Sequence, residues 1–264
     1  MPSVVTPARP NPPGFFGGAR AFFHGLGYIV TTPSTWRYAI IPMLVAMVLL
    51  GGFGALGVWG AIALTHVILG SASGALATVG AWVLEVVLGA VSLLVAAVIA
   101  LSLAQPISGF ALEAIAVAQE KSLGGREWPS QPVAASFVRS LGVTLTGLAL
   151  GLPFLGVLTL ISVFVPPAAV VTVPLKFLVT ALMIAWDLLD YPLSIRGMSV
   201  GGRLRFIGQN FGAVLGFGLA SGMLLLVPGI GLLVLPVGVA GAARLVTEVD
   251  PALALGAGPN VPRL

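Results

Sequence analysis

The sequence is poor in charged residues. Asp, Glu, Lys and Arg together make up 8% of its 264 residues, whereas 58% are hydrophobic. An ordinary soluble domain carries about 25% charged residues and displays them on its surface. The composition therefore predicts an integral membrane protein whose main partner is the lipid bilayer, and we expect no nucleic acid among its ligands.

Cysteine is absent and histidine occurs only twice, at His24 and His66. The chain therefore has no disulfide framework and no thiolate metal site, and the wide separation of the histidines disfavours a histidine metal site. The nucleotide-binding G-x-x-x-x-G-K-[ST] pattern and the common hydrolase motifs are also missing. We expect no enzyme activity, no cofactor and no bound metal. No sequence motif supports an intramembrane enzyme.

Glycine patterns inside the apolar runs predict helix packing. GFGALG, residues 52–57, matches the dinucleotide fingerprint, but it lies within an apolar helix and not between a strand and a helix. Small residues spaced four apart let membrane helices approach closely. That spacing recurs in three glycine pairs: Gly147 with Gly151, Gly212 with Gly216, and Gly218 with Gly222.

Long apolar runs come in pairs joined by short connections. Runs longer than the roughly 20 residues that cross a bilayer predict transmembrane helices. Three hairpins are predicted, with arms at about 38–65 and 76–103, 138–165 and 168–186, and 211–227 and 232–245. Residues 151–153, the tip 228–231 and Pro236 predict breaks in the later arms. The second and third hairpins therefore span the bilayer or enter it only partly.

The flanking segments are polar or amphipathic. Residues 1–14 are rich in proline and predict a disordered tail, residues 251–264 predict a flexible tail, and residues 15–250 predict one membrane domain. Apolar residues at helical spacing around Phe22 predict an amphipathic helix, either in the membrane interface or packed on the protein's cytoplasmic side. A second amphipathic helix is predicted after the second span. The fold class is therefore an all-α integral membrane protein with two long transmembrane helices, two Pro/Gly-broken hairpins and interfacial helices.

Lysine and arginine are missing from all three hairpin tips. The basic residues lie instead before, between and after the hairpins: Arg9, Arg20, Arg37, Lys121, Arg126, Arg139, Arg196, Arg203, Arg205, Arg244 and Arg263. The positive-inside rule places these segments and both termini in the cytoplasm. Each hairpin then leaves the cytoplasmic side and returns to it.

Three ionisable residues, Glu85, Lys176 and Asp187, lie within or at the end of apolar runs. A charge at membrane depth costs at least about 2.5–3.5 kcal/mol, so such residues are candidates for function. Glu85 is either a functional acid or a protonated residue at a helix contact. Lys176 either lines a water-filled path, which we favour, or reaches an interface by snorkelling.

The run WDLLDYPLSIRG, residues 186–197, places two carboxylates where the second hairpin returns to the cytoplasm. Asp187 and Asp190 are three residues apart and share one side of a helix. A single D-x-x-D pair is weak evidence for a metal site. We favour a structural charge network in which these carboxylates pair with the arginines that follow, namely Arg196, Arg203 and Arg205.

Several segments together resemble one protein family. Near the N-terminus the segment is GFFGGARAFFHGLGYIVTTPSTWRYAIIPMLV, and after the second span it is LAQPISGFALEAIAVAQEKSLGG. Towards the C-terminus the segments are LDYPL, RG, the N and GFG of QNFGAVLGFG, and LPVGVAGAARL. Their order and spacing are similar to those of the CysZ sulfate-transporter family, which also contains the eukaryotic etoposide-induced membrane proteins. The resemblance covers nearly the whole chain after the N-terminal tail.

The resemblance implies a bacterial inner-membrane protein that assembles as a homo-oligomer. It implies that the protein carries or conducts sulfate, or a related oxyanion, inward to supply cysteine biosynthesis. The family's anion site uses a glycine and two arginines in the turn before the first span, which here reads TPSTWRYAIIP. Arg37 matches the second arginine, so the candidate anion ligands are Arg37, Ser34 and Thr35, with Lys176 as a second attraction point.

The same turn departs from the family pattern at two positions. Ser34 stands in place of the glycine and Trp36 in place of the first arginine. These changes remove one positive charge and one flexible backbone position. They favour an alternative function, a membrane scaffold or lipid-interacting protein with the same fold and no transport, whereas the retained Arg37 and the intramembrane Lys176 favour transport.

Overall fold

The structure is a computed structural model that describes residues 13–70, 74–125, 133–227 and 231–249. All regular structure in these ranges is helical, which confirms the predicted all-α class. The α-helices are α1 (Phe15–Thr31), α2 (Trp36–Leu69), α3 (Ala75–Ile107), α4 (Gly109–Ser122), α5 (Val133–Phe164), α6 (Ala169–Ile195), α7 (Val200–Gln209), α8 (Phe211–Leu225) and α9 (Gly231–Val249). Both predicted tails lie almost entirely outside the described residues.

Helices α2 and α3 form a long antiparallel hairpin. They contain 34 and 33 residues, so each is about 50 Å long at 1.5 Å per residue. Gly57 of the GFGALG run lies against Ser92 of α3, and a Cβ added at Gly54 would lie 3.4 Å from the Leu93 side chain, as expected of a packing face. Gly52 faces open space. Most of the outer surface of this hairpin is exposed and apolar. Length and composition therefore suit both helices to crossing a bilayer.

Helices α5 and α6 form the second hairpin and are also long and apolar enough to cross a membrane. Trp186 of α6 lies in the space that a side chain on Gly147 would occupy. Met183 of α6 likewise lies in the space that a side chain on Gly151 would occupy. Near the tip, the hydroxyl groups of Ser162 and Thr172 are 2.6 Å apart. The predicted packing role of the Gly147–Gly151 pair therefore agrees with the contacts.

Two of the predicted breaks are wrong. Helix α5 continues through Pro153, and α9 continues through Pro236. A proline removes one helical hydrogen bond, whereas ending a helix in apolar surroundings would leave several backbone groups without partners. The third predicted break, the tip at residues 228–231, lies outside the described residues except for Gly231.

Helix α6 is longer than the sequence pattern predicts. It runs to Ile195, so the segment from Asp190 to Ile195 is helical and not a loop, and α7 follows within the same predicted loop. Leu189 and Leu193 are fully buried, and their burial outweighs the lost hydrogen bond at Pro192. Gly197 lies just after the helix end, and its φ of 66° is accessible to glycine at little cost.

The main core lies where α1, α4, α8, α9 and the C-terminal half of α6 meet. Helix α1 presents Phe22 to this core, and its glycines allow close backbone contact, with Gly18 against Ala213 and Gly25 against Gly241. The opposite face of α1 exposes further apolar residues, among them Phe16, Phe23 and Val30. Helix α1 therefore packs on the protein with one face and leaves the other available to the membrane interface.

Candidate functional site

The turn between α1 and α2 holds the predicted anion ligands. A short 3-10 turn, Pro33–Thr35, leads directly into the N-terminus of α2. Ser34 and Arg37 are exposed, and the Arg37 guanidinium lies over the Tyr38 ring at 4.7 Å from its centroid. An exposed hydroxyl and a permanent positive charge therefore flank the start of a long helix, where the helix dipole favours anions.

Thr35 and Trp36 serve the turn itself. Thr35 is buried, and its hydroxyl donates to the carbonyl of Thr32 at 2.7 Å. The Trp36 indole N–H donates to the carbonyl of Ile29 at 2.8 Å and so connects α2 to the last turns of α1. Of the three predicted ligands in the turn, Ser34 and Arg37 are exposed, whereas Thr35 is buried.

Tyr28 ties the same end of α1 to α4. Its hydroxyl is hydrogen bonded to the side chain of Ser122, at the end of α4. Burial raises the pKa of Tyr28 above its ordinary value of 10.0, and the hydrogen bond to Ser122 offsets part of that rise. Tyr28 is therefore a neutral hydrogen-bonding group beside the turn at ordinary pH.

Lys176 lies far from this turn. Ala39, two residues after Arg37, packs in the same core as Leu193 of α6. Lys176 precedes Leu193 by 17 residues, which is about 25 Å along the helix at 1.5 Å per residue. The structure therefore does not bring Lys176 together with Ser34, Thr35 and Arg37.

Asp190 and Arg203 form a buried ion pair that joins α6 to α7. Ser194 connects the two, since its hydroxyl donates to Asp190 Oδ1 at 2.6 Å and accepts from Arg203 Nη2 at 2.7 Å. Arg203 Nε donates to the carbonyl of Met198 at 3.1 Å. This pair holds the turn between the two helices against the core.

Arg196 pairs with a residue that the sequence reasoning missed. Its Nη1 donates to Glu120 Oε1 of α4 at 2.5 Å and to the carbonyl of Pro192 at 2.5 Å. Both side chains of the pair are almost completely buried. One signal pointed to Glu120: it follows the core residues Leu112 and Ala116 at intervals of four, so it lies on the buried face of α4.

The other members of the predicted charge network lie elsewhere. Asp187 is half-buried beside α5, where its Oδ1 would be 3.7 Å from a side chain added at Gly147. Arg205 is exposed on α7. Neither Asp187 nor Arg205 takes part in the two buried ion pairs. Arg205 is two residues or 200° from Arg203 and so points away from it on α7. Asp187 shares one side of α6 with Asp190 but lies beside α5 and not against α7.

Glu85 is half-buried on α3. It precedes Ser92, which faces Gly57 of α2, by seven residues or two helical turns. Glu85 therefore lies on the side of α3 that faces α2, near the level of Leu64. The described residues contain no group of three or more metal-ligating side chains.

Comparisons with known proteins identify the family. No curated protein matches the chain. The family model described as sulfate transporter CysZ/etoposide-induced protein 2.4 matches residues 21–236. The match includes the turn with Arg37, both long apolar hairpins and both buried ion pairs. The chain therefore belongs to the CysZ/etoposide-induced protein 2.4 family.

Proposed function

We propose that the protein carries or conducts sulfate, or a related oxyanion, across the bacterial plasma membrane and so supplies cysteine biosynthesis. Membership in a family of sulfate transporters supports this proposal. Four helices long and apolar enough to cross a membrane support a multi-pass protein. The distribution of arginine and lysine supports a cytoplasmic location for both termini.

The observation that carries the proposal is the exposed position of Arg37 and Ser34 at the N-terminus of α2. An oxyanion without an ionisable proton needs fixed donors and permanent positive charge. A helix N-terminus supplies oriented N–H groups, and an arginine supplies forked donors that stay charged. The side chain of Thr35 supports the turn, and we assign direct contact with the anion to Ser34 and Arg37.

Lys176 is the proposed second attraction point for the anion. It lies about 25 Å along the helix from the level of Arg37, so the two charges act at different stages of the path. We propose structural roles for Asp190, Arg196 and Arg203, which hold α4, α6 and α7 together.

One observation favours a scaffold or lipid-interacting role instead. Trp36 occupies the position of an arginine in the family pattern, and its indole N–H already donates a hydrogen bond to the carbonyl of Ile29. The Thr35 hydroxyl likewise donates a hydrogen bond to the carbonyl of Thr32. A turn that uses its donors internally offers fewer of them to an anion, while the exposed apolar face of α1 suits a lipid surface.

Uptake of labelled sulfate into liposomes that contain the purified protein tests the proposal. We expect saturable uptake that falls at least about tenfold in Arg37→Ala, because a charge-assisted contact is worth about 1.5–3 kcal/mol. Arg205→Ala is the matched control, since it removes an equally exposed arginine from α7 and should leave uptake unchanged. Sulfate uptake measured in the presence of excess chloride reports whether the protein selects sulfate over chloride.

Two results would count against oxyanion transport. Uptake no greater than that of empty liposomes, from protein shown to be folded, would favour the scaffold hypothesis. Equal loss of uptake in Arg37→Ala and Arg205→Ala would show a general effect of surface charge and not a site at the turn.

A further inference from the structure

The Arg37 guanidinium lies on the ring of the residue that follows it. Its central carbon is 4.7 Å from the centroid of the Tyr38 ring, within the roughly 6 Å at which a cation–π contact is effective. Arg37 is exposed, and no carboxylate among the described residues pairs with it. The first turn of α2 contains no acidic residue. The aromatic ring is therefore the group that orients this charge.

Tyr38 is itself held in place by the core. It is half-buried and packs against the main core cluster, to which the next residue, Ala39, also belongs. A side chain packed in this way keeps few rotamers, whereas an exposed arginine has many to lose on binding. The core thus fixes the ring, and the ring limits the positions of the guanidinium.

Ser34 lies on the same side of the chain as Tyr38. The backbone is helical without a gap from Pro33 through the start of α2, first as a 3-10 turn and then as an α-helix. Residues four apart in a helix are neighbours on one face. The Ser34 side chain is exposed and forms no hydrogen bond among the described residues. A guanidinium held over Tyr38 therefore lies on the face that carries the Ser34 hydroxyl.

This arrangement keeps the donors of Arg37 available to an anion. Stacking uses the flat face of the guanidinium, while its N–H groups point outward in the plane. An oxyanion accepts from two of these N–H groups at once, which a spherical chloride ion cannot do with the same geometry. An arginine that is already oriented also loses less conformational freedom on binding. The stack thus favours oxyanions over halides.

We propose that Tyr38 is a positioning residue of the oxyanion site, whose ring holds the Arg37 guanidinium beside the Ser34 hydroxyl. Tyr38 acts through Arg37 and makes no contact with the anion. The expected effect on uptake rests on the proposed oxyanion transport. The arrangement of the three side chains is testable without transport.

Sulfate uptake into liposomes tests the effect on the site. Tyr38→Leu removes the ring, whereas Tyr38→Phe keeps it and is the matched control. We expect the half-saturating sulfate concentration to rise about two- to fivefold in Tyr38→Leu, the factor that a cation–π contact at an exposed site contributes. The maximal rate should not change, and Tyr38→Phe should behave like the unchanged protein. Addition of Tyr38→Leu to Arg37→Ala should cause no further rise, because the ring acts through the arginine.

The absence of cysteine from the sequence permits a test without transport. Ser34→Cys places a single thiol in the full chain, and its alkylation by iodoacetamide is followed in detergent. A neighbouring guanidinium favours the reactive thiolate, so we expect alkylation to slow at least about threefold when Arg37→Ala or Tyr38→Leu is added. Tyr38→Phe should leave the rate unchanged. Thermal unfolding of each variant shows that it is folded.

Two results would overturn the proposal. An alkylation rate that does not depend on the ring would show that Tyr38 does not hold the guanidinium near position 34. An equal rise of the half-saturating concentration in Tyr38→Leu and Tyr38→Phe would assign the effect to the phenol hydroxyl. A lack of sulfate uptake by the unchanged protein, together with ring-dependent alkylation, would reject transport and still support the placement of Arg37 by Tyr38.

Discussion

Arg203 of α7 donates to the carboxylate of Asp190 in α6, and both side chains are almost completely buried. The two residues are 13 positions apart. The segment between them contains one proline, Pro192, and the turn between α6 and α7 at residues 196–199. Ser194 hydrogen bonds to both of them. The ion pair and the hydroxyl therefore form one unit that fixes the angle between α6 and α7.

Removal of one member of this pair should destabilise the protein. In Asp190→Ala the guanidinium of Arg203 stays buried without its carboxylate, and we expect a loss of about 3–5 kcal/mol of unfolding free energy. Thermal unfolding in detergent measures the change. Arg205→Ala removes an exposed arginine from the same helix and should shift stability by less than about 0.5 kcal/mol. Equal effects in the two variants would contradict a structural role for the buried pair.

The pair between Glu120 and Arg196 should show strong energetic coupling between α4 and α6. Their side chains are 0% and 2% exposed, and a double-mutant cycle with alanine should give about 1–3 kcal/mol. Arg244 and Glu248 form a matched comparison on α9, at 28% and 37% exposure, with an expected coupling of about 0.3–0.5 kcal/mol. A coupling for Glu120 and Arg196 no larger than this would argue against the buried contact.

Two neighbouring glycines of α1 should respond to alanine with opposite signs. A methyl group on Gly25 would collide with the backbone of Gly241 and the carbonyl of Val237, so Gly25→Ala should cost about 1–3 kcal/mol. A methyl group on Gly27 meets nothing within 4 Å, and Gly27→Ala should stabilise the helix by about 0.5–1 kcal/mol. Thermal unfolding of both variants in the same detergent checks the prediction, and destabilisation by both would contradict it.

Trp36→Arg should raise the affinity for sulfate if the turn binds an oxyanion. The change supplies the arginine that the family pattern has at this position and releases the carbonyl of Ile29. Because an added guanidinium contributes about 1–2 kcal/mol at a partly exposed anion site, the half-saturating sulfate concentration should fall about five- to thirtyfold. Trp36→Phe, which also loses the indole hydrogen bond but adds no charge, is the control. An equal change in both variants would assign the effect to the lost hydrogen bond.

Tyr28 should contribute to alkaline unfolding. Burial raises its pKa above 10.0, so the folded state favours the neutral phenol. The stability from this preference is fully present below about pH 10 and is lost as the pH rises through the raised pKa of the folded state. Unfolding midpoints measured from about pH 9 to about pH 12 should therefore fall less steeply in Tyr28→Phe than in the unchanged protein. Parallel curves for the two proteins would contradict a raised pKa of Tyr28 in the folded state.

The sequence predicted the membrane class, the helical hairpins and the family well, because each depends on composition and on residue order over long stretches. Predicted helix ends were less accurate. Prolines at positions 153 and 236 indicated breaks, and the second hairpin was predicted to end at residue 186. The helices continue through Pro153 and Pro236, and α6 continues through Pro192 to Ile195. The gain from burying neighbouring apolar residues and satisfying the remaining backbone groups is a property of the packed structure and cannot be read from a local proline.

For the candidate site, the sequence by itself determined which residues carry charge and which glycines allow helices to approach. Charge placement, family resemblance and the turn before α2 already pointed to Arg37, Ser34 and the carboxylates near residue 190. Only the tertiary structure decided the partners: Glu120 for Arg196, Arg203 for Asp190, and the carbonyl of Ile29 for Trp36. Glu120 and Arg196 are 76 residues apart in sequence, and their contact depends on how α4 and α6 pack against the shared core. Helical periodicity assigns a side chain to a face of its own helix, whereas packing decides which neighbour that face meets.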